Sequence, residues 1–240
     1  MGQGRPPARE VHGHFNSKLA REVSRLTGWT GKIWERRYQA IVISEEESAQ
    51  VERLRYQLSH GAKEDLVEAP EDWPGIHCVR ELLGGEPLTG YWFNRTQEYA
   101  ARRRREEHDR YEYATLETVT LSPLPCWEHL PEEEYRRRIE RQVASIKAET
   151  AARRKRTGAD PLGPEAILAQ HPHSRPKKIK RSPAPRFHAA TKDRRRELYD
   201  GYAWFVAAFR TAAEKLKAGD PAPPFPRGCF PPALPFVGWE

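Results

Sequence analysis

Apolar residues recur along this chain in short stripes of helical period, separated by stretches rich in proline and arginine. Phe15, Leu19, Val23 and Leu26 share one side of a helix expected over residues 16–27, with Asn16 or Ser17 as N-cap and Gly28 as its stop. Residues 32–43 are rich in β-branched and aromatic side chains from Trp34 to Ile43 and read as a strand. Ser44, followed by Glu45, Glu46 and Glu47, marks the start of the next helix. Its core side carries Val51, Leu54 and Leu58, and Gly61 is its expected end. A further helix is expected from about Trp73 to Leu83, stopped by Gly84 and Gly85. Gly90 to Arg95 (GYWFNR) and Tyr113 to Leu121 read as strands on either side of a charge run over residues 99–110.

Beyond these, a long charged helix runs from Pro131 to about Arg156 with a narrow stripe of Tyr135, Ile139, Val143 and Ile146. Residues 157–190 are basic and proline-rich, an extended arm. Residues 191–217 form a last amphipathic helix through Leu198, Tyr202, Phe205, Phe209 and Leu216. Helices and strands in this order predict an α+β fold. By composition the chain divides into residues 1–95, a charged strand and helix region at 96–156, the arm at 157–190, and the last helix with its tail at 191–240. There is no internal repeat.

Composition narrows the partners. The chain has 240 residues, 38% hydrophobic and 31% charged, enough for one medium domain or two small ones with a modest core. A net charge of +7 and a pI near 9.4 favour nucleic acid or another acidic surface. No run approaches the roughly 18 apolar residues of a membrane-spanning helix, and MGQGRPPARE lacks the apolar core of a signal peptide. A cytoplasmic protein without membrane contact is the expectation. Cys78, Cys126 and Cys229 are far apart and odd in number, so they read as small hydrophobes rather than disulfide or metal partners.

The chemistry centres on one tyrosine. On a helical wheel Val51, Leu54 and Leu58 cluster within about 60° and Tyr56 lies roughly opposite them. Glu52, Tyr56 and His60 follow one another at four-residue spacing, a single row on the outward face. Such a row can serve as charge partner, nucleophile and metal ligand, or it can be a solvent-facing aromatic beside a histidine. Arg36 and Arg37 on the preceding strand and Arg55 on the helix are candidate phosphate contacts, as are Lys177, Lys178, Lys180 and Arg181 in the arm. Trp92 and Phe93 beside Arg95 could stack on bases or pack in the core. His171 and His173 lack further ligands near them in sequence.

The segment IWERRY, an acidic helix start, and then LRYQLSHGAKEDLVEAPEDWP resembles the C-terminal half of the REP-associated tyrosine transposases, in the single-tyrosine HUH transposase superfamily. The resemblance covers roughly residues 13–75. It implies Tyr56 as the nucleophile, His60 as a ligand of a catalytic Mg²⁺ or Mn²⁺, single-stranded or hairpin DNA as substrate, and a homodimer as the working form. The family's reaction cleaves DNA through a 5′-phosphotyrosyl link and then transfers the strand. Its metal pair is a His-hydrophobic-His strand upstream. Here His12-Gly13-His14 fits that pattern only superficially, with a glycine in the middle and His14 only 42 positions before Tyr56, so the N-terminal part bearing the metal strand is expected to be missing. His60-Gly61 also stands where the family carries Asn-Pro. These departures predict a truncated ferredoxin-like domain with a mainly helical basic extension. Because a phenol ionises near pH 10 in water, loss of the metal site should leave such a protein weakly active or inactive. A non-catalytic nucleic-acid-binding remnant or a decayed gene fragment is the alternative.

Overall fold

The computed structural model describes residues 8–34, 39–84, 87–104, 109–174 and 184–232. Seven helices and four strands lie among them: α1 (Ala8–Thr27), β1 (Val42–Ile43), α2 (Glu47–Lys63), α3 (Val79–Gly84), β2 (Leu88–Phe93), α4 (Arg95–Arg103), β3 (Ala114–Val119), α5 (Glu132–Thr157), α6 (Pro164–Leu168), β4 (Phe187–His188) and α7 (Lys192–Lys217). The fold is α+β, mainly helical. No helix among the described residues is long and apolar enough to cross a membrane. By packing, residues 1–39 with 54–182 make one unit, and residues 40–53 with 183–240 make a second, so the boundary falls inside α2.

In the first unit the buried apolar residues come from the second half of α2 (Leu58, Ala62), the turn after it (Val67, Ala69, Pro70), α3 (Val79, Leu82), α4 (Ala101), Trp127, and α5 (Ile139, Val143, Ile146). The expected α5 stripe is therefore buried, with Tyr135 stacked edge-on against Trp127 at 5.9 Å. Two polar residues, Thr150 and Arg154, extend that stripe by further helical turns and are buried too. Arg154 meets the C-terminal end of α2, where helix carbonyls have no intrahelical donor. Its guanidinium donates to Ala62 O (2.9 Å), Val67 O (2.7 Å) and Glu68 O (3.0 Å), and to the Asp65 carboxylate at 2.9 Å. Asp65 itself sits at a left-handed φ of 56°, and Leu66 N bonds back to Gly61 O at 2.9 Å. That turn, rather than Gly61, stops α2 at Lys63. Gly61 is helical, and a Cβ there would come within 3.1 Å of both the Trp73 ring and Val67. The glycine answers a packing demand.

Several boundaries move for physical reasons. α1 begins at Ala8 because Val11 continues the Phe15–Leu19 stripe one turn upstream, so Asn16 and Ser17 lie inside the helix and not at its cap. Gly28 ends it at φ 67°, as expected. Of the strand expected over 32–43, the described residues contain only Val42–Ile43; residues 35–38, with Arg36 and Arg37, lie outside the description. Trp34 instead donates its indole N–H to Asn16 O in α1 at 3.0 Å. The helix expected from Trp73 to Leu83 is a tight turn at Pro70–Asp72 followed by α3, since Pro74 and Gly75 interrupt it. The start of the charge run, residues 99–103, falls in α4, which is capped by the Asn94 side chain accepting from Gln97 N; residues 105–108 lie outside the described residues, and Arg110 opens a tight turn. β2 and β3 pair antiparallel from Leu88↔Val119 to Phe93↔Ala114.

In the second unit β1 and β4 pair in parallel, Val42 with Phe187 and Ile43 with His188. Ser44 does not cap α2. Its backbone N–H bonds to His188 O (2.8 Å) and its hydroxyl donates to Glu46 (2.8 Å). The Glu46 carboxylate also accepts from Ala190 N (2.7 Å) and the Thr191 hydroxyl (3.0 Å), which ties the start of α7 to the start of α2. The Ser44 hydrogen bond is the chief reason its carboxyl is held below the ordinary value. On α7, Tyr199 meets Phe187 edge-on at 5.0 Å and Phe209 meets Phe225 at 5.4 Å, leaving Trp204 exposed.

Candidate functional site

Tyr56 is positioned by the burial of the opposite side of its helix. Leu58 and Ala62 are fully buried, whereas Tyr56 is 46% exposed. The His60 ring lies one turn further on, 5.8 Å from the Tyr56 ring and tilted by 48°. Lys63 brings its ammonium within 5.6 Å of the same ring, a cation–π contact that the wheel did not single out. Tyr56, His60 and Lys63 thus form an outward aromatic and cationic row at the C-terminal end of α2, where a positive charge also complements the helix dipole. Lys63 was legible in principle, seven residues after Tyr56 and so two turns along the same face.

Arg55 points elsewhere. It donates to Gln142 at 3.3 Å and pairs with Glu149 on α5, and the guanidinium holds the Glu149 carboxyl below its ordinary value. Its cation is therefore matched within the protein. Arg36 and Arg37, like Lys177, Lys178, Lys180 and Arg181, lie outside the described residues.

The metal candidates do not converge. His12 and His14 both sit on α1, two residues apart, where side chains diverge by about 200° and cannot grip one ion. His60 contributes one donor. Among the described residues no group of three histidine, cysteine, aspartate or glutamate side chains is placed to hold a metal. Among the described residues, then, His12, His14 and His60 do not converge on a divalent cation. His173 is an anchor: its Nε2 lies 2.8 Å from Thr27 O and its ring packs edge-on against Trp29.

The surroundings offer two more titratable features. Burial depresses the His77 imidazole below its ordinary 6.5, against the opposing effect of a hydrogen bond to the Gln57 backbone. Burial also raises the Cys78 thiol, so it is a poor nucleophile. What the Tyr56 row can do by geometry is receive an anion against the Lys63 ammonium and stack a flat group on an exposed ring. Comparison with family models, curated proteins and solved structures found no match for this chain.

Proposed function

We propose that the chain is a transposase-like protein that binds single-stranded or hairpin DNA, with little or no strand cleavage of its own. The observation that carries this reading is the outward row of Tyr56, His60 and Lys63 on a helix whose other side is buried. The net charge of +7 supports a polyanionic partner. The resemblance of residues 13–75 to the REP-associated tyrosine transposases supports DNA as that polyanion and Tyr56 as the residue nearest the scissile phosphate. On this reading the N-terminal half derives from a ferredoxin-like catalytic domain, the protein works in the cytoplasm, and two copies act together.

The test is binding and covalent capture in one experiment. End-labelled hairpin DNA is titrated at two salt concentrations, with and without Mn²⁺, beside Tyr56→Phe and Lys63→Gln, and the mixtures are then run on a denaturing gel. Affinity should fall steeply with salt and fall a few-fold in Lys63→Gln, with little or no retained label on the gel. Absence of salt-dependent binding would sink the reading. A strong adduct lost in Tyr56→Phe would instead make Tyr56 an active nucleophile and overturn the low-cleavage part of the proposal.

A further inference from the structure

The face of the β2–β3 hairpin opposite α1 is an unusual use of aromatic residues. Tyr91, Phe93 and Tyr111 cluster there with ring separations of 5.2 to 6.3 Å, but they do not close into a core. Tyr91 is 57% exposed and Tyr111 is 52% exposed. Across from them α1 presents Val11, Phe15 and Leu26, also exposed. Between lies a cleft of about 880 Å³, ample for a flat organic group and its neighbours.

The charge lining this cleft is predominantly positive. Lys18, Arg25, Arg95 and Arg110 border it against a single carboxylate, Glu22. Glu22 is already claimed by two of them, Arg25 at 2.8 Å and Arg95 at 3.1 Å. Arg110 lies over the Phe93 ring at 4.4 Å and over Tyr111 at 5.5 Å. Arg95 lies over Phe93 at 4.6 Å. Exposed rings beside guanidinium groups match a ligand that alternates flat apolar units with negative charge. A peptide with apolar side chains would leave the excess cations unmatched. A blunt duplex would hide its base faces from the rings.

We propose that this cleft is a binding site for unpaired bases of single-stranded DNA, with Tyr91 as the stacking platform and Arg110 and Lys18 as phosphate contacts. It rests on the reading of the chain as a DNA-binding protein, yet it shares no residue with the Tyr56 row. It adds a second contact surface, so one protein would hold the strand at two places.

The test is fluorescence anisotropy of the full chain with a labelled oligo-dT, against a blunt duplex and an oligo-U of equal length. Tyr91→Ala should weaken oligo-dT binding about tenfold, the loss of one stacked base, while Tyr91→Phe keeps most of it. Arg110→Gln should lower the slope of log affinity against log salt by about 0.7. The duplex and oligo-U should bind more weakly. Unchanged affinity in Tyr91→Ala, with wild-type circular dichroism, would overturn the proposal. So would equal or tighter binding of duplex or oligo-U. Lys63→Gln run in parallel separates the two readings. If it weakens binding and Tyr91→Ala does not, the α2 site stands and the cleft falls; if neither chain nor variant binds oligo-dT at all, both fall.

Discussion

At the junction of α2 and α5 the Arg154 guanidinium is almost wholly out of solvent and donates to three backbone carbonyls and a carboxylate, whereas at the α1 cleft Arg95 and Arg110 lie on an aromatic ring beside open solvent. Arg154 and Arg110 both come from charged stretches that look alike in sequence, and Arg95 stands just before one of them. What separates them is the surface each meets. The end of α2 offers orphaned carbonyls, which a planar five-donor fork can satisfy together. At the cleft the guanidinium groups meet ring faces and side-chain carboxylates instead: Arg95 donates to Glu22 and Glu98, and Arg110 lies over Phe93 and Tyr111. The first arrangement fixes the chain; the second leaves binding capacity. Substitutions should therefore act on stability in one region and on ligand binding in the other.

The largest expected effect is at Arg154. Arg154→Ala leaves the Val67 and Glu68 carbonyls without their side-chain donor, at about 1 kcal/mol or more each where no water can replace it, strips Ala62 O of its shortest hydrogen bond while Arg153 still donates to it, and removes one partner of Asp65. A loss of roughly 3 kcal/mol in urea unfolding is expected. Arg154→Lys should recover only part of it, because an ammonium cannot span the same acceptors. A loss below about 1 kcal/mol would mean the two regions do not differ in the way described.

Gly61→Ala is expected to come second. Alanine favours a helix interior by up to about 1 kcal/mol, but its methyl would sit 3.1 Å from both Trp73 and Val67. Overpacking of this kind costs about 1–3 kcal/mol, so the net change should be destabilising by about 1 kcal/mol. A stabilised variant would show that the Trp73 ring can retreat.

These two positions also show what the sequence carried and what it hid. The stripe of Ile139, Val143 and Ile146 was legible because burial and apolar character coincide there. Arg154 continues the same stripe, yet reads as one more charge in a basic helix end; only the carbonyls it meets reveal its role, and those belong to residues nearly 90 positions away. Gly61 read as a terminator because a glycine that admits a neighbouring ring leaves no local signature. The outward placement of Tyr56 was legible from helical period alone. The strand expected up to Ile43 failed over most of its described length because β4 supplies a partner only two residues long. The cleft at the hairpin was half visible: Trp92, Phe93 and Arg95 stood together in sequence, while Arg110 and α1 arrive only through folding.

A smaller effect should come from His77. Its folded imidazole resists protonation because it is partly buried, an effect that outweighs the opposing pull of the Gln57 backbone hydrogen bond and the Glu71 carboxylate. The unfolded chain then binds more protons as pH drops through the ordinary value of 6.5, so this contribution is complete above that value and is lost as pH falls below it toward the depressed folded value. His188, depressed by burial and by Arg53, acts in the same direction. Unfolding free energy measured from pH 8 to pH 5 should decline, and His77→Gln should flatten part of that decline. An unchanged slope in the variant would show that His77 is readily protonated in the folded chain.

The smallest expected effect on stability sharpens the comparison most. Lys18 is exposed on α1 at the edge of the cleft, and Arg110 makes ring contacts worth about 0.5–1 kcal/mol each at an exposed site, with the Glu98 carboxylate near enough to feel its charge. Lys18→Gln should move the unfolding midpoint by the equivalent of less than about 0.5 kcal/mol, and Arg110→Gln by less than about 1 kcal/mol. Yet both should lower the salt dependence of oligo-dT binding, whereas Arg154→Lys, once folded, should leave that slope unchanged. A cleft variant that unfolds as readily as Arg154→Ala would mean the aromatic cluster is a core in its own right, held closed by its arginines, and the distinction between a fixing and a binding arginine would collapse.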